Sequence, residues 1–190
     1  PLSPEALDGQ VALLNQVYGA LNNVYLYLAS QGMDTAGRSV VWSDQMANPV
    51  VIIDETLMDL SAQITGVLSA SPEFSAFVQS LGLPAEAVPT VAALMGSTYG
   101  QSRPATAEDL MVFTSSTVIG TVTTDRVAEL MMAGLSQELA GTFSVEGVTL
   151  PMEDKWVLTS IETEEVRVAQ TAYNNTIQGL AQQFGLAYFD

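Results

Sequence analysis

The sequence predicts an α/β protein in two parts. Residues 1–100 are predicted to form a mainly helical lobe with a short β-hairpin, and residues 101–190 a partial α/β core of two strands plus a helix. Apolar residues recur every three or four positions along two long segments, as in amphipathic helices. Two short, continuous apolar runs lie before and after the later segment, as in strands buried on both faces. The chain has 190 residues, of which 48% are hydrophobic, and this suffices for one domain with an extra lobe.

The first helix is predicted to begin near Ser3 and to end before Gly32. Ser3 suits the N-cap, Pro4 suits the first helical position, and a glycine readily ends a helix. The residues predicted to face the core lie three or four positions apart: Leu7, Val11, Leu14, Tyr18, Leu21, Tyr25 and Leu28. Tyr25 and Tyr27 are compatible with a ligand groove, but packing in the core is the favoured interpretation.

Shorter elements follow in the first part of the chain. Two β-rich runs, residues 39–43 and 50–54, flank a polar turn and predict a hairpin or a pair of short strands. Two short helices are predicted over residues 71–82 and 84–96, the second ended by Gly96. Helices this short cannot bury both faces alone, so they are typical of a cap or an interface lobe.

The partial core begins with an apolar run. Residues 110–113, Leu-Met-Val-Phe, predict a strand that is buried on both faces, and residues 125–140 predict a helix. The helix residues predicted to face inward are Val127, Leu130, Met131 and Leu135. A β-like segment with a turn at Glu146-Gly147 precedes the last helix.

The last helix is the best defined in the sequence. Thr159 and Glu162 predict a capping box, and Gly185 is placed to end the helix. The residues predicted to face the core are Val166, Ala169, Tyr173, Ile177, Leu180 and Phe184. Residues 186–190 predict a second buried strand. Two strands joined by a connection that contains a helix are the arrangement of parallel neighbours in one sheet.

Composition excludes several classes of function. The chain has no cysteine and no histidine, which excludes disulfides, thiolate nucleophiles, imidazole metal sites and a self-contained Ser-His-Asp triad. Five Lys+Arg against 21 Asp+Glu give a net charge of −16, which opposes nucleic-acid binding. No apolar run reaches the roughly 18 residues that span a membrane. We therefore expect no cofactor, no metal, no nucleic acid and no membrane span.

The start of the sequence bears on its origin. The first residue is proline, and the first ten residues lack the basic start and apolar run of a signal peptide. We therefore expect a processed protein or a piece of a longer one.

The candidate site residues follow the two predicted core strands. Thr114, Ser115, Ser116 and Thr117 come directly after the first strand, and Asp190 ends the second. Parallel neighbours end at one edge of a sheet, where open α/β sheets bind ligands, so these residues are expected to meet there. Because no histidine is available to activate a hydroxyl, they are predicted to lie beside a site without being catalytic.

Two cations beside acidic residues have a structural and a functional interpretation. Arg103 precedes Glu108 and Asp109 and belongs either to a site loop or to a structural ion pair, of which the ion pair is favoured. Lys155 also lies beside acids, and a solvated ion pair is favoured over a catalytic amine.

Two stretches together resemble a known family. They are "ATAEDLMVFTSSTVIGT", residues 105–121, and "GVTLPMEDKWVLTSIETEEVRVAQTAYNNTIQGLAQQFGLAYFD", residues 147–190. Both resemble the later part of SGNH (GDSL-type) hydrolase-like proteins, above all the large extracytoplasmic ones of Bacteroidota. The earlier "ALLNQVYGALN" and "NPVVIIDETLMDLS" resemble the insertion that those proteins carry between core strands, while residues 61–96 match least.

In that family the nucleophile serine lies in a Gly-Asp-Ser block, an oxyanion-hole glycine and asparagine precede the insertion, and an Asp-x-x-His block follows the last core strand. None of these can be placed in this chain, so no residue inherits a catalytic role. The resemblance implies a fragment or one chain of a serine esterase or lipase-like hydrolase that acts through an acyl-enzyme and is inactive by itself.

The resemblance also implies an architecture, partners and a location. The fold would be a partial SGNH-type parallel sheet, with residues 1–100 as an insertion lobe that caps it. Complementary segments, or a second chain, would carry the catalytic blocks. The location would be extracytoplasmic, in the cell envelope or as an outer-membrane lipoprotein.

Two other interpretations stay open. The chain is compatible with a non-catalytic interaction or scaffold protein of an extracytoplasmic complex that uses the same fold. It is also compatible with a small-molecule binding domain that uses Trp42 and the tyrosine-rich surfaces.

Overall fold

The computed structural model describes residues 4–189, so Ser3 and Asp190 lie outside it. The fold is mixed α/β and mainly helical, which confirms the predicted class in its coarse form. The helices of the described residues are α1 (Pro4–Ser30), α2 (Ser61–Ala70), α3 (Pro72–Ser80), α4 (Val88–Tyr99), α5 (Thr124–Met132), α6 (Gln137–Thr142) and α7 (Ser160–Phe184). The strands are β1 (Val51–Ile53), β2 (Ser102–Pro104), β3 (Leu110–Met111) and β4 (Val157–Leu158). Short 3-10 helices cover Ala85–Ala87, Phe113–Thr117 and Asp154–Trp156.

Helix α1 has the predicted bounds and the predicted buried face. The side chain of Leu7 is not among those described, and the face is buried at Tyr18, Leu21, Tyr25 and Leu28. The helix ends two residues before Gly32, which has a φ of +84° that a glycine adopts without strain. Tyr25 is buried as predicted, whereas Tyr27 is half exposed.

The predicted hairpin is wrong. Strand β1 pairs antiparallel with β2, and residues 39–43 form no strand. The backbone of residues 39–43 is instead bonded by two asparagine side chains of α1. Asn22 donates to the carbonyl of Val40 at 2.8 Å and accepts from its N–H at 3.1 Å. Asn15 makes the same pair of bonds with the backbone of Trp42, both at 2.9 Å. The side-chain amides of these two asparagines therefore replace the hydrogen bonds of a partner strand.

The predicted parallel sheet is also wrong. Strand β3 pairs antiparallel with β4, which precedes α7, and residues 186–189 form no strand. The run at residues 110–113 is not buried on both faces, since Leu110 is 53% and Phe113 95% exposed. Because the second predicted strand is absent from residues 186–189, the expected meeting of two strand ends at one edge is not found.

Two glycines correct the predicted helix bounds. The helix predicted over residues 125–140 is broken into α5 and α6 at Gly134, whose φ is +101°. Helix α4 continues through Gly96 to Tyr99. At Gly96 an added Cβ would clash with Thr65 and with the backbone oxygen of Ser61, so this glycine allows α4 to approach α2.

The apolar residues form two clusters. The larger one lies among α1–α6 and includes Leu130, Leu135 and Ala140 from beyond residue 100. The smaller one surrounds Ile52 and Met152, which are joined by a parallel bridge beside β1. The domain boundary at residue 100 stays a prediction, and the packing crosses it.

None of the helices described in residues 4–189 is by itself long and apolar enough to cross a membrane. Helix α3 together with Ala85–Tyr99 passes on length and composition, but this pair is bent by 116°.

Candidate functional site

The predicted site residues Thr114, Ser115, Ser116 and Thr117 lie in the 3-10 helix that follows β3. Ser115 is buried and the other three are exposed. The Ser116 hydroxyl donates to the Phe113 carbonyl at 3.2 Å, and the Thr117 hydroxyl to that of Thr114 at 2.8 Å. Within residues 4–189 neither hydroxyl is bonded to a carboxylate or to a cation, so these groups close a local turn. Asp190, the remaining predicted residue, lies outside the described residues.

The main charged cluster joins Arg103 to Asp54 and Asp109. Nε of Arg103 lies 2.6 Å from Asp54, and its two terminal nitrogens contact the Asp109 carboxylate at 2.6 and 2.8 Å. Asp109 also accepts from the backbone N–H of Thr106 at 2.7 Å and of Ser160, the first residue of α7, at 3.2 Å. Through one carboxylate the cluster therefore ties β2, the following loop and the start of α7 together.

The electrostatics of this cluster indicate a structural role. The bonds from Arg103 hold the pKa of Asp109 well below its usual range, and the bonds to Asp109 raise the pKa of Arg103. Burial opposes ionisation of Asp54, but bonds from Thr56 and Arg103 prevail and lower its pKa. All three groups stay charged near neutral pH, so none is suited to proton transfer.

The favoured interpretation of Arg103 as a structural ion pair is confirmed for Asp109, but Glu108 is not its partner. The contact with Asp54 was missed because 49 residues separate the two in sequence. The one signal in the sequence was that Arg103 is one of five Lys and Arg residues in a chain with 21 acidic residues.

A second arginine was not singled out from the sequence. Arg38 is buried and donates to the backbone carbonyls of Gly100 at 2.7 Å and Met58 at 2.5 Å. Burial lowers its pKa. Its role is to fasten the segment after α1 to the end of α4.

The other predicted ion pair is solvated. Lys155 lies 2.6 Å from Glu153, and both side chains are more than half exposed, which confirms the favoured interpretation. In the part of the chain that the structure describes, no group of three or more acidic residues is arranged to hold a metal ion.

Helix α7 carries a long series of exposed apolar side chains. Its predicted capping box is present: Thr159 accepts from the N–H of Glu162, and Glu162 accepts from the N–H of Thr159 at 2.8 Å. The face predicted to be buried is exposed instead. We call it the α7 stripe, and its members are Val166, Ala169, Tyr173, Ile177, Leu180 and Phe184.

The exposure of the α7 stripe is large and continuous. Tyr173 and Phe184 are 69% and 67% exposed, and the less exposed Leu180 still shows 49%. Residues 168–189 contain no charged side chain in a chain whose net charge is −16. At the base of the helix Leu110, Val112 and Phe113 are exposed as well, beside the β3–β4 pair. An apolar, uncharged surface of this length is typical of an interaction site.

In comparisons with known proteins, no protein family, curated protein or solved structure matches this chain.

Proposed function

We propose that this chain is one part of an SGNH (GDSL-type) serine ester hydrolase-like protein of extracytoplasmic location. In this proposal it lacks the catalytic blocks, and the α7 stripe with the β3–β4 pair forms the surface on which the complementary segments dock. The family in this proposal rests on the sequence resemblance, and the observation that carries the docking surface is the exposure of the whole α7 stripe.

A covering partner would stabilise this surface considerably. Complete burial of a Val, Leu, Ile or Phe side chain contributes about 1.5–3 kcal/mol, and the large side chains of the stripe are still 49–69% exposed. Each therefore stands to gain roughly 1 kcal/mol from a partner. The open edges of the two-residue strands offer backbone hydrogen bonds in addition.

The chemistry of the chain supports a division of labour. It has no histidine and no cysteine, and the hydroxyls of Ser116 and Thr117 are bonded to nearby carbonyls. Acyl transfer needs an activated nucleophile and an oxyanion hole, which a complementary segment would supply. The helical lobe of residues 1–100 would then act as the cap over the substrate.

The first test is enzymatic. The purified 190-residue chain is expected to hydrolyse short-chain nitrophenyl esters no faster than buffer. Turnover that a serine-directed phosphonate abolishes would contradict this part of the proposal.

The second test maps the partner. A photo-crosslinking residue at Ile177, in the α7 stripe, is compared with one at Gln182, which lies on the opposite side of the helix by its spacing. The crosslinking is carried out in the cells that produce this chain, and the crosslinked peptides are identified by mass spectrometry. The residue at position 177, and not the one at position 182, is expected to be crosslinked to a segment that contains Gly-Asp-Ser. Crosslinks from Ile177 only to a second copy of this chain would contradict the proposal.

The same crosslinking experiment distinguishes this proposal from the alternative, which is a non-catalytic scaffold protein of an extracytoplasmic complex. The local bonds of the Ser116 and Thr117 hydroxyls fit that alternative equally well. A partner that is joined to Ile177 and lacks a Gly-Asp-Ser block would support it.

A further inference from the structure

A small apolar pocket lies between α1, α3, α4 and α5, with Leu135 and Phe143 from either side of α6. Its volume is about 60 Å³, and its walls are almost entirely hydrocarbon. Leu83, Leu94, Leu130, Leu135 and Phe143 form much of the lining. The cation of the lining is Arg126.

Arg126 has unused hydrogen-bonding capacity. Its side chain is 14% exposed, one terminal nitrogen lies 2.5 Å from Glu129, and the other donates to Thr98 at 2.5 Å. Nε is buried and has no acceptor within residues 4–189. A guanidinium carries five N–H donors, so two contacts leave donors free.

The other polar groups of the lining have their own partners. The Tyr99 hydroxyl donates to the Thr149 carbonyl at 2.5 Å, and the Thr98 hydroxyl to that of Leu94 at 2.7 Å. The Thr149 hydroxyl donates to the Thr142 carbonyl at 2.8 Å. The remaining capacity for a ligand therefore belongs to the guanidinium.

The position of Arg126 favours a negative ligand. It is the third residue of α5, in the first turn, where the helix dipole is positive and disfavours a cation. The helix dipole therefore adds to the positive potential at this wall of the pocket. Arg126 is paired with Glu129, whose side chain is 49% exposed, and Asp125 is a second acid in the same turn of α5.

We infer that this pocket binds a short-chain monocarboxylate. The hydrocarbon chain fills the apolar space, and the carboxylate replaces that of Glu129 on the Arg126 guanidinium. Planar guanidinium groups bind carboxylates through charge-assisted bonds. A cavity of 150 Å³ holds a six-carbon ring, so 60 Å³ accommodates about two or three carbons, which suits the propyl chain of butyrate. This site goes beyond the proposed function and does not rest on it.

The probe is butyrate, added to the complete 190-residue chain and followed by saturation-transfer NMR. Butanol has the same hydrocarbon body without the charge, and acetate has the charge without the chain. Butyrate is expected to bind at least tenfold more tightly than either. Arg126→Met is expected to reduce butyrate binding to the level of butanol.

A matched control and a competitor variant sharpen the test. Arg167 forms the same kind of arginine–glutamate pair with Glu164 on the exposed surface of α7, so Arg167→Met is expected to leave butyrate binding unchanged. Glu129→Gln removes the competing carboxylate and is expected to tighten butyrate binding severalfold.

Three results would overturn the inference. Equal affinity for butyrate and butanol would show an apolar cavity without anion recognition. An equal loss in Arg126→Met and Arg167→Met would show general attraction of anions. If Arg126→Met unfolds the protein, the test uses Glu129→Gln, a substitution at an exposed residue. An unchanged affinity of Glu129→Gln for butyrate would overturn the inference.

Discussion

Helices α1 and α7 have similar lengths and similar apolar periodicity, but different surroundings. From Tyr18 to Leu28 the apolar face of α1 is buried against α2–α4 and the segment after α1. The equally regular α7 stripe is about half exposed or more along its whole length. The difference shows that periodicity predicts a helix and the face it would bury, but not whether a partner is present.

The two helices also differ in how they are held. Helix α1 is bonded along its length, through Asn15 and Asn22 to the segment that follows it. The described polar ties between α7 and the rest lie at its first turn, where Ser160 donates to Asp109. Substitutions in the body, by which we mean α1–α6 and their connections, are therefore expected to affect the stability of the whole fold. Substitutions in α7 are expected to have local effects.

The largest expected effect separates two isoleucines. Ile64 in α2 is fully buried, and Ile64→Ala should reduce the free energy of unfolding by about 2–5 kcal/mol through cavity formation. Ile177→Ala in the α7 stripe, at a residue that is 53% exposed, should change it by under about 0.5 kcal/mol. Urea denaturation of both variants measures the contrast. Equal losses would mean that the α7 stripe is covered in solution.

The next effect concerns the ion cluster. Asp109→Asn leaves Arg103 with one carboxylate and should cost about 2–4 kcal/mol at neutral pH, whereas the exposed neighbour variant Glu108→Gln should cost little. The pKa of Asp109 is lower in the folded than in the unfolded chain. Its contribution is therefore present above about pH 4 and is lost as the pH falls further. Urea denaturation at pH 7 and pH 3 tests this. A difference in unfolding free energy between the wild type and Asp109→Asn that is the same at both pH values would contradict it.

A smaller effect compares two helical glycines. Gly96→Ala forces a methyl group against Ser61 and Thr65 and should cost about 1–3 kcal/mol. Gly179→Ala in α7 meets nothing within 4 Å and should stabilise that helix by about 0.5–1 kcal/mol. Circular dichroism during thermal denaturation measures both. Stabilisation by Gly96→Ala would show that α2 and α4 do not cross so closely.

The smallest effect is confined to the start of α7. Thr159→Ala removes the capping side chain and should cost about 1 kcal/mol of local helix stability. Hydrogen exchange is expected to accelerate in the first turn of α7 while the amides of α1 and α2 keep their protection. Loss of protection in α1 would mean that α7 supports the body.

Much of the helical part was predictable because its signals are local. The bounds of α1 and the Thr159 capping box were both evident in the sequence. The sheet was not predictable in the same way. The apolar run at residues 110–113 predicted an extended strand, but its partner, β4, lies 47 residues further along, and its exposure depends on what covers it.

The candidate site was also predictable only where its residues lie close together in the sequence. The sequence placed Arg103 near both Glu108 and Asp109 without choosing between them, and Asp54 could be found only from the fold. It likewise identified the hydroxyls of Thr114–Thr117, whereas their use in closing a 3-10 turn became visible in the structure. The pocket at Arg126 is lined from several helices and had no signal in any one segment.

The sequence by itself determined helices α1 and α7, the capping box of α7, the net negative charge and the lack of histidine and cysteine chemistry. Each of these depends on residue identity or on contacts within about four residues along the chain. The tertiary structure decided which strands pair, which glycine breaks a helix and which allows two helices to touch, and which apolar face remains open. Those outcomes depend on segments tens of residues apart competing for the same hydrogen bonds and the same apolar surface. No local pattern records the result of that competition.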